Sequence, residues 1–370
     1  MVRIHRSLLA AFAWLVLGLG GAVGQNPAAV KAFNEGTEAF KKQDWDKALE
    51  HYSQAIKLDP MLTQAYYNRA LVHQNRRDNE KAVADYSAAL KLNPLYGAAF
   101  VNRGLAYHAL KDYPKALADY DAALKLDAKS AKALQNRGMT FADMKEFKKA
   151  LDDYTEALKY ETKEPLLYFN RGSAYRALEE PEKAVEDLNK AIELDPKLTK
   201  AYNVRGEVFV ALKDKEKALA DFDAAIKLGS NDPNTFVNRG RIYASIEAYE
   251  RAIADYTEAI KRAPNHPILY FNRGVSYHKL KEHDKAIADL SKAIELDPKD
   301  HLSWQARANF HSDKKDFDKA IADYTEVLKL QPKFAAAYYN RGLTYQKKGD
   351  KEKGQADLDE AGKLDIKYKR

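Results

Sequence analysis

A 34-residue period, kept without insertion over almost the whole chain, limits the possible folds more than any other feature of this sequence. The stretch Tyr270–Pro298, YFNRGVSYHKLKEHDKAIADLSKAIELDP, is matched 34 residues upstream by FVNRGRIYASIEAYERAIADYTEAIKRAP. With Ala29 as the first position, units start at 29, 63, 97, 131, 165, 199, 233, 267, 301 and 335, and the tenth closes at Tyr368. Repeats of this length bury their apolar faces against one another, so each unit touches mainly its neighbours. A length of 370 residues would otherwise suggest two or three ordinary domains. The repeat predicts one array over 29–368 instead.

Each unit carries two amphipathic helical patterns divided near its position 15 or 16, as at Leu110-Lys111-Asp112. Position 32 is proline in six units, Pro60 and Pro298 among them, and stops the second helix. Where Thr162 and Ser230 take its place, Pro165 and Pro233 open the next helix, at a point where a missing amide hydrogen costs nothing. Position 8 is glycine in eight units, and position 20 is alanine in nine. Glycine in a helix costs about 1 kcal/mol against alanine, so these glycines predict close backbone approach between the paired helices. Aromatic residues recur at position 4 (Tyr66, Trp304), position 11 (Tyr107, Tyr277) and position 24 (Tyr52, Phe222). All three sets are expected in the core.

This frame, with large rings at 4, 11 and 24, small residues at 8, 20 and 27, and proline at 32, resembles the tetratricopeptide repeat (TPR) family. The resemblance covers units 29–62, 63–96, 97–130, 131–164, 165–198, 199–232, 233–266, 267–300, 301–334 and 335–368. It implies an all-α fold, a right-handed α-solenoid superhelix of ten stacked helical hairpins. The first helix of each hairpin would line a concave groove that binds a peptide or protein segment, without chemistry of its own. Ala32 and Ala39 leave the first unit without two of its rings, and Gln355 and Gly362 replace apolar residues in the last. The last hairpin is therefore expected to act as its own cap.

Residues 1–24 stand outside the repeat. Arg3 and Arg6 precede the apolar run Leu8–Leu19, and Ala22-Val23-Gly24 supplies the small residues a signal peptidase needs before Gln25. The reading is a cleaved signal peptide and an exported, periplasmic or secreted, bacterial-type protein. The alternative is an uncleaved anchor, since Ser7–Gly24 is at the short limit for a membrane span. Losing Arg3 and Arg6 takes two from 61 basic residues, which face 54 acidic ones. That balance is too mild to point to nucleic acid. Cysteine is absent, which excludes disulfides and thiolate chemistry.

Two ladders run through the repeat. Arginine fills position 7 and aspartate position 23 in the same nine units (Arg69 with Asp85 through Arg341 with Asp357). The two positions are level in an antiparallel hairpin, so they are expected to pair. The basic residue at position 19, for example Lys285, is a rival partner for the aspartate. Asparagine fills position 6 in eight units: Asn34, Asn68, Asn102, Asn136, Asn170, Asn238, Asn272 and Asn340. The same face adds Tyr67, Phe169 and Phe271 at position 5, and Leu71, Leu105 and Val275 at position 9. An amide offers both donors and acceptors to an extended peptide backbone. This row is similar to the asparagine ladder in the superhelix of O-linked GlcNAc transferase. The other reading is that these amides tie neighbouring helices together. The carboxylate clamp of chaperone adaptors does not fit, because its pattern meets Phe33, Thr37, Asn68, Ala98 and Asn102.

No phosphate loop, no strand pattern and no His-Glu-x-x-His motif is present, and the histidines are scattered over different repeat positions. The expectation is a non-catalytic scaffold with no cofactor and no metal site, whose partner is a protein or peptide segment. A second reading is a periplasmic component of a polysaccharide secretion or cell-envelope assembly machine. Sugar binding would favour exposed aromatics on the groove face, such as Tyr67 and Tyr339.

Overall fold

The computed structural model describes residues 26–368. The signal-peptide reading of residues 1–24 lies outside them. The described chain is all-α and forms two compact units, one ending at Thr162 and one starting at Lys163.

The first unit holds four hairpins. They are α1 (Pro27–Lys41) with α2 (Trp45–Leu58) and α3 (Thr63–Asn75) with α4 (Asn79–Leu92). Then follow α5 (Gly97–Ala109) with α6 (Tyr113–Leu126) and α7 (Ala131–Asp143) with α8 (Phe147–Ala157). The second unit holds six, beginning with α9 (Pro165–Ala177) and α10 (Pro181–Leu194), then α11 (Thr199–Ala211) and α12 (Lys215–Lys227). Next come α13 (Pro233–Ser245) with α14 (Tyr249–Arg262) and α15 (Pro267–Lys279) with α16 (His283–Leu296). The last are α17 (His301–Asp313) with α18 (Phe317–Leu330) and α19 (Ala335–Lys348) with α20 (Lys351–Leu364). A short turn of 3-10 helix, Ile366–Tyr368, closes the described chain.

Each division falls where the sequence places it. The turn residue at position 15 is left-handed in every hairpin, at φ of 60 to 66° for nine non-glycine residues such as Lys281 and at 103° for Gly349. Left-handed backbone strains a residue with a Cβ, so the packing of the two helices must hold these turns. The next residue then caps the second helix. Asp112 Oδ1 accepts from Lys115 N at 3.3 Å, and Asp214 Oδ1 from Lys217 N at 3.1 Å. At the far end the position-31 carboxylate makes a local turn, as Asp59 Oδ1 does with Met61 N at 2.9 Å. Pro165, Pro233 and Pro267 sit in the first turn of their helices.

The rings at position 24 are the core. Tyr52, Tyr86, Tyr120, Tyr154, Phe222, Tyr256 and Tyr324 are all buried. The rings at positions 4 and 11 are not core in the same sense, which corrects the sequence reading. Most are half-buried and bracket the position-7 guanidinium: Arg273 lies 5.8 Å from the Tyr270 ring centre and 5.9 Å from that of Tyr277.

The glycines are also only partly as expected. At Gly104 the space of a side chain is taken by the Tyr120 ring, 2.7 Å from where a Cβ would stand. At Gly342, whose position 24 is Leu358, the space is taken by backbone, with Gly354 O at 2.9 Å. A ring can slide aside, and alanine does occur opposite Tyr86 (Ala70) and Tyr324 (Ala308). A backbone carbonyl has no such freedom. Close backbone approach is thus the reason for glycine in the hairpins that carry leucine at position 24.

Candidate functional site

The arginine–aspartate ladder forms in all nine hairpins that carry it. Each guanidinium donates through Nε and Nη2 to the two carboxylate oxygens of its own hairpin, at 2.6 to 2.9 Å. The aspartates are buried and the arginines largely so. The rival is resolved: Lys285 pairs with Glu282, the residue just before its own helix, and Lys115 with Asp112 at 2.7 Å. Within each compact unit the third nitrogen, Nη1, reaches back to position 25 of the preceding hairpin, as Arg273 does to Thr257 Oγ1 at 3.0 Å and Arg205 to Asn189 Oδ1 at 2.5 Å. Sequence reasoning missed this tie, although the run of Ser, Thr, Asn and Asp at position 25 signals it. With both partners held inside the protein, the ladder is a fastening between helices, and it offers little charge to a ligand.

The face that remains is the one built by the first helix of each hairpin at positions 2, 5, 6, 9, 12 and 13. In the first unit two of its four amides are engaged, and the exposed Asn34 makes no side-chain hydrogen bond to another described residue. Asn68 Nδ2 donates to the Tyr52 hydroxyl at 3.4 Å, and Asn102 Nδ2 to the Tyr67 hydroxyl at 2.8 Å. Asn136 is 4% exposed, and its Nδ2 has no hydrogen-bond partner among the described residues. Tyr67 is less available than its spacing suggests. Its ring packs against Tyr96 at 4.7 Å and Tyr86 at 5.6 Å, and burial raises its hydroxyl pKa. Leu71 and Leu105 are half-buried, and Leu71 packs against the core around Tyr86.

The second unit presents a different pattern. Asn170, Asn272 and Asn340 are half-buried, and their side-chain amides make no hydrogen bond to another described residue. Asn238 is engaged, donating to Glu207 Oε1 at 3.4 Å, and Glu207 also pairs with Arg176. Burial holds the Glu207 carboxyl above its usual range, with Arg176 opposing that shift. Phe169, Phe271 and Val275 are half-buried, each packed on one side against the core of its own hairpin and the next. Sequence reasoning missed the charged residues here. Glu207 and Arg241 interrupt a position that is Leu, Met, Val, Ser, Thr or Asn elsewhere, and that interruption was the available signal.

Chemically this face offers amide donors and acceptors between half-buried apolar side chains, a surface suited to chain backbone. Among the described residues no group of three or more His, Cys, Asp and Glu is placed to hold a metal ion. No helix among them is long and apolar enough to cross a membrane.

Comparison with known proteins bears on the same residues. Family models described as tetratricopeptide repeat match 67–131, 131–163, 165–198, 199–232, 267–300, 290–322 and 335–365. A further model described as TPR repeat matches 36–75, 240–281 and 308–349. Three solved structures share the fold. A tetratricopeptide repeat protein from Parabacteroides merdae is 19% identical, with a TM-score of 0.54 over 68% of this chain and 99% of that one. The C-terminal part of a TPR repeat-containing protein from Cytophaga hutchinsonii is 17% identical, with a TM-score of 0.56 over 65% and 98%. Pseudomonas aeruginosa pilF is 18% identical, with a TM-score of 0.51 over 60% and 96%. At such identities the likeness is one of fold alone.

Proposed function

The chain belongs to the tetratricopeptide-repeat family, and from that premise we propose that it is an exported scaffold whose first-helix face binds an extended segment of another protein. Proteins of this family act as non-catalytic scaffolds for protein–protein interaction. The observation that carries the finer reading is the set of amides in the second unit, at Asn170, Asn272 and Asn340, that hold no protein partner among the described residues. None of these three amides is among the buried unpartnered side-chain atoms, so water meets them in the free protein and the donors and acceptors of a bound segment can take that water's place. An extended backbone presents donors and acceptors in alternation and can meet several along one row. Phe169, Phe271 and Val275 lie beside those amides and would cover the segment's side chains. The polysaccharide reading gains less support, since Tyr67 and Tyr339 have ring faces occupied by Tyr96 and Tyr368.

A photo-crosslinking residue at Val275, compared with one at Lys292 on the outer helix, tests this in the producing cell. The expected result is a discrete product from the Val275 position only, with the crosslink mapped to a short stretch of the captured protein. Equal capture at both positions, or none at Val275, contradicts the proposal. Export makes a separate prediction. Protein isolated from the cell envelope or medium should begin at or near Gln25 and need no detergent. Intact Met1–Gly24 on membrane-bound material would instead assign an anchored protein.

A further inference from the structure

The histidines are scattered over repeat positions, yet the turn of the eighth hairpin brings two of them together. His278, at position 12, is one residue from the end of α15, and His283, at position 17, opens α16. Their Nδ1 atoms are 3.2 Å apart, and the rings meet at 62° with centres 5.0 Å apart.

Neighbours fix the first ring. Phe310, buried in the next hairpin, lies flat against His278 with the ring centres 3.6 Å apart. Asp313 Oδ2 is 3.2 Å from His278 Nε2. A carboxylate only accepts, so it draws the imidazole proton to Nε2 and leaves the Nδ1 lone pair turned toward His283. The third hairpin is an internal contrast. His108, also at position 12, has its Nε2 2.9 Å from Asp143 Oδ2, but position 17 there is Tyr113, which supplies no second imidazole. These two hairpins alone carry histidine at position 12, and the hairpin after each carries aspartate at position 13.

A hydrogen bond between the two Nδ1 atoms uses this arrangement poorly. The ring centres are closer than a straight N–H···N contact would hold them, so the contact is bent, and bent hydrogen bonds are weak. Two lone pairs that share one ion need such a bend. Nitrogens 3.2 Å apart, each about 2.0–2.1 Å from a metal, subtend about 100° there, between the square-planar and tetrahedral angles.

We propose that His278 and His283 chelate one divalent transition-metal ion of the kind imidazole favours, Zn2+, Ni2+ or Cu2+, through their two Nδ1 atoms. Water fills the remaining positions, because Glu282 and Asp284, which flank His283, are held by Lys285 and Lys314. Asp313 is then a positioning residue, the outer carboxylate that orients a metal-bound histidine. The ion clips α15 to α16 across their turn, and the site does not rest on the segment-binding reading.

The test is a titration of the full chain, purified without a histidine tag, with Zn2+ alone. Calorimetry reads the binding, and NMR reads the imidazole nitrogens. Before metal is added, the His278 proton is expected on Nε2. One equivalent of zinc should shift the Nδ1 signals of His278 and His283 together and saturably, and leave those of His108 in place. His283→Tyr, which gives the eighth hairpin the residue of the third, should remove that binding with helical content unchanged. Asp313→Asn should weaken it by about tenfold, the low end for an outer-shell partner. Zinc that shifts His51, His108 and His301 as much as His278 is adventitious binding and overturns the site. Saturable binding that survives His283→Tyr, or a His278 proton found on Nδ1, overturns it as well.

Discussion

Replacing Arg273 with alanine is expected to destabilise the second unit by about 3–5 kcal/mol, the range for removing one partner of a buried ion pair. Asp289 is 7% exposed, and both its oxygens are taken by Arg273, each at 2.8 Å. Without the guanidinium a buried carboxylate loses both charged donors, and Thr257 of the preceding hairpin loses its tie as well. Removing Asp289 too should recover part of the loss. A double-mutant cycle should give a coupling of roughly 1–3 kcal/mol, above the roughly 0.2–1 kcal/mol of an exposed pair. Lys285→Ala should leave the transition where it was, because that lysine pairs with Glu282 in solvent. Urea unfolding followed by Trp304 fluorescence, in the next hairpin, reads all four variants. A transition in Arg273→Ala that matches the parent would show that the ladder does not fasten the hairpins.

This ladder marks where the sequence was legible and where it was not. Level positions 7 and 23, filled or lost together, predict a pair, and the pair forms. Which of two cations the aspartate takes was open, because Lys285 is also one turn away on the same helix. The outcome rests on a third residue: Glu282 at position 16 faces the solvent and gives the lysine a cheaper partner. The contact from Arg273 to Thr257 was hidden for a different reason. It crosses to another hairpin, so the polar run at position 25 shows its meaning only when one repeat is set against the next.

The glycines and rings repeat that lesson. Gly104 and Gly342 are the same letter at the same position, yet one makes room for a tyrosine ring and the other for a carbonyl. The residue sixteen places on, Tyr120 or Leu358, decides which. The asparagine row was read as one set, and it divides by its neighbours. Asn102 finds the Tyr67 hydroxyl and Asn238 finds Glu207, whereas the Asn272 and Asn340 amides make no hydrogen bond to another described residue. Position 6 alone carries no such information; it lies in positions 5 and 9 of the hairpin before.

That division supplies the most direct test of the binding face. Asn272→Ala and Asn340→Ala together remove amides that bond nothing within the described chain, so the melting temperature should hold or rise slightly, alanine being the better helix former. If both amides bond the backbone of a bound segment, several bonds worth about 0.5–1.5 kcal/mol each are lost. Affinity for the segment mapped by crosslinking should then fall by about one to two orders of magnitude. Asn238→Ala serves as the contrast, since it breaks a bond to Glu207 and should act on stability as well. The account predicts an unchanged melting temperature with a roughly ten- to hundredfold weaker complex for the Asn272/Asn340 double variant. A lowered melting temperature with unchanged affinity would contradict it and make the amide row a tie between helices.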